Sequence, residues 1–160
     1  MRTIRIETTL PTDAERVWRA MQHPASFTYV VRGLFAFPPL AGRTEPVRDG
    51  ETGIGRLRLF HLIPLWRHSM RIDVDAGDRS LHSQEHGGVL KTWNHTLHVE
   101  PLSERQCRYS DTVEFDAGRF DAMTAAFATW FYRHRQRRWH KLVHTHLLPE
   151  GPRYTHSPPS

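Results

Sequence analysis

The chain has 160 residues, of which 38% are hydrophobic and 24% charged, with a net charge of +5 and one cysteine. This length and balance are typical of one soluble globular domain. The single cysteine excludes an intrachain disulfide framework and a multi-cysteine metal site, and no apolar run approaches the roughly 20 residues that span a bilayer. We expect a cytoplasmic protein, because the first residues alternate like a strand and lack the apolar core of a signal peptide.

The first third of the chain predicts a strand followed by two short helices. Residues 2–9 alternate apolar and polar side chains, as a half-buried strand does. Residues 12–15 (TDAE) have the spacing of a capping box and predict a helix that begins at the threonine. A second short helix is predicted over residues 24–31, before the break at Gly33. The prolines and glycines of residues 34–52 predict an irregular or edge-like segment.

The rest of the chain predicts a run of antiparallel strands and then one long helix. Alternation and turn residues place strands at residues 55–63, 67–76, 79–85, 90–100 and 106–115. Gly87-Gly88 is the strongest hairpin signal between them. Residues 118 to about 147 form one long helical run, and residues 149–160 predict a disordered tail, since they are rich in proline and poor in apolar side chains.

This order of elements predicts one α+β domain over residues 1–148. A curved antiparallel sheet of six or seven strands is expected to wrap around the long C-terminal helix, with two short helices after the first strand, as in a helix-grip fold. Such a plan leaves a cavity between sheet and helix. The sequence therefore predicts a small-molecule pocket at that place.

Four segments carry a resemblance to a known superfamily. They are residues 10–18 (LPTDAERVW), residues 85–95 (EHGG followed by WNH), residues 109–115 (YSDTVEF) and residues 131–139 (FYRHR with a tryptophan). With these segments and its order of elements, the chain resembles a cytoplasmic bacterial branch of the START-like, or Bet v 1-like (SRPBCC), superfamily, which includes polyketide cyclases, aromatase/cyclases and lipid-transfer domains. The resemblance implies the helix-grip fold and a hydrophobic ligand beneath the terminal helix. It implies no particular reaction.

Side-chain alternation predicts which strand residues face the cavity. The expected wall is mostly aliphatic and aromatic, and residues 57, 59, 61 and 63 belong to it. Five polar side chains interrupt it: His68, Glu85, His95, Tyr109 and Asp111. Glu85 is expected at the rim, because it lies next to the hairpin turn.

His95 and Asp111 are the sharpest local signal in that wall. Neighbouring antiparallel strands can place them opposite or diagonal to each other, within hydrogen-bonding reach. Such a pair is either a general acid/base oriented by a carboxylate or a satisfied polar pair that fixes the strand register. The carboxylate is expected to raise the pKa of His95, while desolvation acts in the opposite direction.

The terminal helix carries one apolar stripe that is expected to pack on the sheet and roof the cavity. The stripe consists of Phe120, Met123, Phe127, Trp130, Phe131 and His134. Together with the strand residues, it gives the predicted ligand-binding set: Met70, Trp93, His95, Tyr109, Asp111, Phe127, Trp130, Phe131 and His134.

Two further patterns are interpreted as structural. His140 and His144 are spaced as a zinc pair on a helix, but the sequence places no third ligand, so no metal site is predicted. Cys107 lies within a strand, without a loop or helix N-terminus to activate it, and a packed thiol is expected.

The sequence favours a non-catalytic carrier or sensor of a small hydrophobic or aromatic metabolite, lipid- or polyketide-like, without a cofactor. The alternative is an enzyme of the polyketide cyclase or dehydratase type, with His95 as base and Asp111 orienting it. A third interpretation is an interaction module that docks on an acidic partner through Arg133, Arg137 and Arg138. No nucleic-acid partner and no membrane insertion are expected, because charge alone specifies no nucleic-acid contact. We expect a monomer or a weak homodimer.

Overall fold

The computed structural model describes residues 1–36, 38, 42–59, 63–87 and 90–147. Within these residues, seven strands form one curved antiparallel sheet in the order β1-β7-β6-β5-β4-β3-β2. Their bounds are β1 (Arg2–Leu10), β2 (Phe35–Ala36), β3 (Glu51–Leu59), β4 (Ile63–Asp75), β5 (Ser80–Gly87), β6 (Leu90–Ser103) and β7 (Gln106–Asp116).

Three α-helices complete the described part of the chain: α1 (Ala14–Met21), α2 (Pro24–Val31) and α3 (Asp121–Leu142). A 3₁₀ turn, Gly118–Phe120, precedes α3, and a π-helical turn, Val143–Leu147, follows it. The predicted helix-grip architecture is therefore confirmed. No helix among the described residues is both long enough and apolar enough to cross a membrane.

Most predicted elements have their expected places, but the bounds of β3, β4 and α1 differ from the predicted ones: β3 ends at Leu59 rather than at residue 63, and β4 begins at Ile63 rather than at residue 67. β3 begins at Glu51, inside a segment expected to be irregular, because Glu51 pairs with Ile72 on β4 and the ladder extends to the strand's end. Helix α1 begins at Ala14, because the carboxylate of Asp13, and not the Thr12 hydroxyl, accepts the Arg16 backbone N–H at 3.0 Å. The predicted tail and most of the predicted hairpin turn lie outside the described residues.

Helix α3 buries a different stripe from the predicted one. Its buried side chains are Ala128, Phe131, Tyr132, Arg135, Gln136, Trp139 and Leu142. Phe127 is 42% exposed and Trp130 is 49% exposed, and Phe120 and Met123 are exposed as well. The buried stripe is displaced from the predicted one by one residue, which is about 100° around the helix.

Polar contacts from α3 to the first strand and the second helix fix this orientation. Gln136 Nε2 donates to the carbonyl of Ile6 at 2.7 Å, and Thr8 Oγ1 lies 2.9 Å from Nε2 of His140. Arg138 donates from Nη2 to the carbonyl of Tyr29 at 3.1 Å. Helix α3 is thus held between β1 on one side and α2 on the other, with Arg135 and Trp139 directed inward.

Candidate ligand-binding site

A cavity of about 80 Å³ lies between the concave face of β4–β6, the helices α1 and α2, and the C-terminal half of α3. Its apolar wall includes Met21, Phe27, Met70, Ile72, Leu81 and Leu97. Its polar side chains include Ser83, Glu85, His95 and Arg135. An apolar chamber with a few converging polar groups is the usual form of a small-molecule site.

Asp111 is the centre of a buried polar network behind this cavity. Its Oδ1 accepts from His95 Nε2 at 2.9 Å and from the Tyr109 hydroxyl at 3.1 Å, and its Oδ2 accepts from Gln136 Nε2 at 3.4 Å. His95 is opposite Val113 in the sheet, two residues from Asp111, so the pair is diagonal. The predicted contact between His95 and Asp111 is present.

Glu85 was predicted to lie at the rim. In the structure it forms a second, largely buried pair with His68. His68 Nε2 donates to its Oε2 at 2.7 Å, and the Ser83 hydroxyl donates to its Oε1 at 2.6 Å. Its side chain is 18% exposed and lines the cavity. Burial alone would raise the pKa of Glu85, but the hydrogen bonds from His68 and Ser83 outweigh burial and lower this pKa. The cavity therefore contains a carboxylate.

The charges of the network follow from burial and from Arg135. Burial would raise the pKa of Asp111, but the Arg135 guanidinium and the hydrogen bond from His95 lower it, so this residue is a carboxylate. Burial would lower the pKa of Arg135, but Asp111 and the buried tyrosines raise it. Burial raises the pKa of Tyr109 and of Tyr132, so both phenols keep their protons.

The pKa of His95 is lowered, because desolvation outweighs the opposing effect of the Asp111 carboxylate. Burial is the largest cause, and the positive charge of Arg135 acts in the same direction, so together they outweigh the carboxylate. His95 is therefore neutral at neutral pH. Because its Nε2–H donates to Asp111, its Nδ1 carries the free lone pair.

This pKa shift predicts a stability that depends on pH. The unfolded chain binds a proton at His95 below about pH 6.5, the ordinary pKa, whereas the folded chain resists that proton. The contribution of this group is complete above that pH and is lost as the pH falls through the folded pKa, by at most about 1.4 kcal/mol per pH unit. Urea unfolding from above pH 6.5 down to about pH 5 measures it.

His95→Gln is expected to flatten this pH dependence. Burial also lowers the pKa of His134 and of His140, so these two histidines contribute to the pH dependence with the same sign. The matched variant His140→Gln measures how much of the slope comes from a histidine outside the cavity. Protonation of Asp111 and Glu85 lowers the free energy of unfolding only below their ordinary pKa values of 3.8 and 4.5, outside this pH range. Equal slopes for the wild type and His95→Gln would contradict the assignment.

Burial raises the pKa of the Cys107 thiol to about 11, which agrees with the predicted packed thiol. In the described ranges, no three His, Cys, Asp or Glu side chains converge as a metal site would require. The guanidinium of Arg138 lies 4.5 Å over the ring of Tyr29 and donates to its carbonyl, whereas Arg133 and Arg137 are exposed. Arg138 therefore joins α3 to α2. Of the three arginines in the hypothetical docking surface, Arg133 and Arg137 are the exposed ones.

The predicted ligand-binding residues divide into those at the cavity and those in the packing behind it. Met70 and His95 line the cavity. Tyr109 and Asp111 are buried behind His95, and the Tyr109 ring packs against Trp139 at 5.1 Å.

The other predicted residues lie on α3 or against it, away from the cavity lining. The ring centroids of Trp93 and Tyr132 are 6.4 Å apart, and those of Phe131 and Phe35 are 5.2 Å apart. Phe127 and Trp130 are about half exposed, and His134 stacks on Trp130 with a centroid distance of 6.2 Å. The rotation of the α3 stripe by one residue accounts for the positions of Phe127, Trp130 and His134.

Arg135 is the residue at the cavity that the sequence reasoning missed. It lies in a run of basic residues on α3, and charged side chains are seldom buried. A usable signal existed in its spacing, since Arg135 is four residues after Phe131 and four before Trp139. A helical stripe centred on these two aromatic residues contains the arginine.

The model of the family described as Domain of unknown function (DUF8410) matches residues 8–143, which include nearly all of the sheet and helices. The chain belongs to this family. No curated protein matches it by sequence.

Several solved structures share the fold. Norcoclaurine synthase from Thalictrum flavum, in complex with dopamine and hydroxybenzaldehyde, gives a TM-score of 0.65 at 15% identity, over 91% of this chain and 87% of that one. Zhui aromatase/cyclase from a Streptomyces species gives 0.67 at 11% identity, over 91% and 97%. CV1439 from Chromobacterium violaceum gives 0.67 at 16% identity, over 89% and 97%. These similarities confirm the START-like, or Bet v 1-like, fold of this DUF8410 member.

Proposed function

We propose that this DUF8410 protein binds a small, largely apolar ligand in the cavity between its sheet and α3. The observation that carries the proposal is the cavity itself, whose lining is mostly apolar and includes the polar side chains of Ser83, Glu85, His95 and Arg135. Its volume of about 80 Å³ is below the few hundred Å³ of sites for drug-sized ligands, so the proposed ligand is about one ring in size.

The polar groups argue against a cavity that is only a packing defect. Ionised side chains such as Glu85 and Arg135 are costly to bury, and a void beside them provides no compensating partners. A core without a ligand would be expected to fill such a space with aliphatic side chains. The norcoclaurine synthase of similar fold is in complex with dopamine and hydroxybenzaldehyde, each of which has a single ring, and this agrees with the proposed ligand size.

Filling the cavity is expected to abolish binding. Leu97 lines the cavity, so Leu97→Phe places a larger side chain where the ligand would lie. Ligand titrations followed by protein NMR, with phenol, benzamide and hydroxybenzaldehyde as probes, should shift the methyl signals of Met70 and Leu81. In the variant, these shifts should disappear, with affinity lower by about tenfold or more, since a displaced ring loses most of its apolar contact.

Ile54→Phe is the matched control, because Ile54 on β3 is 58% exposed and is not part of the cavity lining. It should bind the probes as the wild type does, and both variants should unfold cooperatively. Equal binding by Leu97→Phe and the wild type, or shifts centred on the exposed Trp130, would contradict a site in this cavity.

Acid–base catalysis is the second candidate, and the state of His95 favours it. Its neutral imidazole donates Nε2–H to a buried carboxylate and has its Nδ1 lone pair available, which is the arrangement of an oriented general base. Proton uptake at Nδ1 would give an imidazolium that Asp111 stabilises. A ligand with an acidic O–H or C–H would be its substrate.

A further inference from the structure

Arg135 has a buried guanidinium with few hydrogen-bond acceptors among the described residues. The residue is 4% exposed and lines the cavity. Its ion-pair contact, from Nη1 to Asp111 Oδ1, spans 3.9 Å, which is too long for a hydrogen bond. Its buried Nε has no hydrogen-bond partner among the described residues. A charged group with five N–H donors is therefore placed at the cavity with almost no acceptors.

The surroundings of Arg135 supply aromatic faces rather than acceptors. Its guanidinium lies 5.1 Å from the ring centroid of Tyr132 and 6.0 Å from that of Phe131. Asp111 already accepts three hydrogen bonds, from His95, Tyr109 and Gln136.

The second carboxylate near the cavity is also occupied. Glu85 accepts from His68 and Ser83 through its two oxygens. An acceptor for Arg135 is thus expected to come from outside the described chain. Leaving a buried charge without hydrogen bonds is among the costliest arrangements in a protein interior.

We propose that Arg135 binds the carboxylate of an aromatic or short hydrophobic acid, whose apolar part occupies the chamber near Met70 and Leu97. This inference rests on the proposed cavity function and names the ligand class. A planar guanidinium presents paired donors that match a carboxylate, and the ring of Tyr132 lies beside it, with the ring centroid 5.1 Å from the guanidinium. The acid adds a negative charge beside Asp111 and Glu85, and neutral His95 can balance it by taking up a proton.

The test compares acids with their neutral amides. Wild-type protein is titrated with benzoate and phenylacetate, and with benzamide and phenylacetamide, by calorimetry or NMR. The acids are expected to bind about tenfold to hundredfold more tightly than the amides, as a charge-assisted contact would provide. Arg135→Met should remove this preference, so that an acid and its amide bind the variant about equally. Arg133→Met, an exposed arginine of the same helix, should keep it.

Each result has a distinct meaning. Amides that bind as tightly as the acids to the wild type would overturn the inference and leave the cavity function intact. A preference that persists in Arg135→Met but disappears in Arg133→Met would also overturn it, because the acids would then be held at the surface. If no probe binds the wild type, the cavity function fails and this inference fails with it.

A second measurement needs no variant and applies even if Arg135→Met does not fold. In wild-type protein, the Nε–H signal of Arg135 in arginine side-chain NMR spectra should move strongly on addition of benzoate and little on addition of benzamide. An unmoved signal at saturating benzoate would overturn the proposed contact.

Discussion

Asp111→Ala is expected to lower the free energy of unfolding by about 3–5 kcal/mol, as the loss of one member of a buried ion pair usually does. The Asp111 side chain is fully buried, and its oxygens accept from His95, Tyr109 and Gln136. The substitution leaves these donors without an acceptor and Arg135 without its counter-charge. Urea unfolding followed by circular dichroism measures the loss.

Two comparisons test whether the loss of stability comes from the polar network and not from substitution in strand β7 as such. Glu114→Ala, at an exposed position of the same strand, should cost less than about 1 kcal/mol. The double variant Asp111→Ala, Arg135→Met removes both charges and should be more stable than Asp111→Ala alone, because no unpaired buried cation is left. A double variant no more stable than the single one would show that Arg135 draws little stability from Asp111.

The polar pair at the centre of the site could be predicted because strand geometry is simple. Side chains alternate with a period of two, so the faces of His95 and Asp111 follow from the sequence once the strands are recognised. Hairpin order makes β6 and β7 neighbours, which leaves few registers to choose between. The contact between the two side chains required no knowledge of the rest of the fold.

The orientation of α3 could not be predicted in the same way. This helix has large apolar side chains on adjacent faces, with Phe127 and Trp130 on one and Tyr132 and Trp139 on the next. Helical periodicity alone does not decide between two faces separated by about 100°. The choice is made by distant contacts, such as Gln136 with the carbonyl of Ile6, which appear only when β1 and α3 meet.

The missed electrostatics follow from the missed orientation. Because Arg135 was not predicted at the cavity, only two opposing effects on the pKa of His95 could be expected, the Asp111 carboxylate raising it and desolvation lowering it. The structure adds a buried cation beside the pair, and this cation acts in the same direction as burial, which is the largest cause of the lowered pKa. The α2 side of the cavity, including Phe27, was likewise hidden, since a short helix carries no signal for the element on which it docks.

The largest chemical effect is expected at His95, under the second candidate function. Phenylacetone is a single-ring ketone whose methylene protons exchange slowly with D₂O, and a general base held beside it accelerates this exchange. The neutral imidazole would take the proton at Nδ1, and the Arg135 guanidinium would stabilise the developing charge on the carbonyl oxygen. His95→Gln is expected to reduce the protein-dependent exchange rate by about 10²–10⁴-fold, measured as the decay of the proton NMR signal.

The affinity of each variant for phenylacetone distinguishes a loss of catalysis from a loss of binding. His95→Gln should bind phenylacetone about as tightly as the wild type, while Asp111→Asn should lose part of the rate, because an amide orients the imidazole without stabilising its positive form. His140→Gln should exchange at the wild-type rate, since His140 contacts Thr8 rather than the cavity. If the protein binds phenylacetone without accelerating its exchange, the His95–Asp111 pair is a structural element of a binding protein, because a correctly placed base cannot leave that rate unchanged.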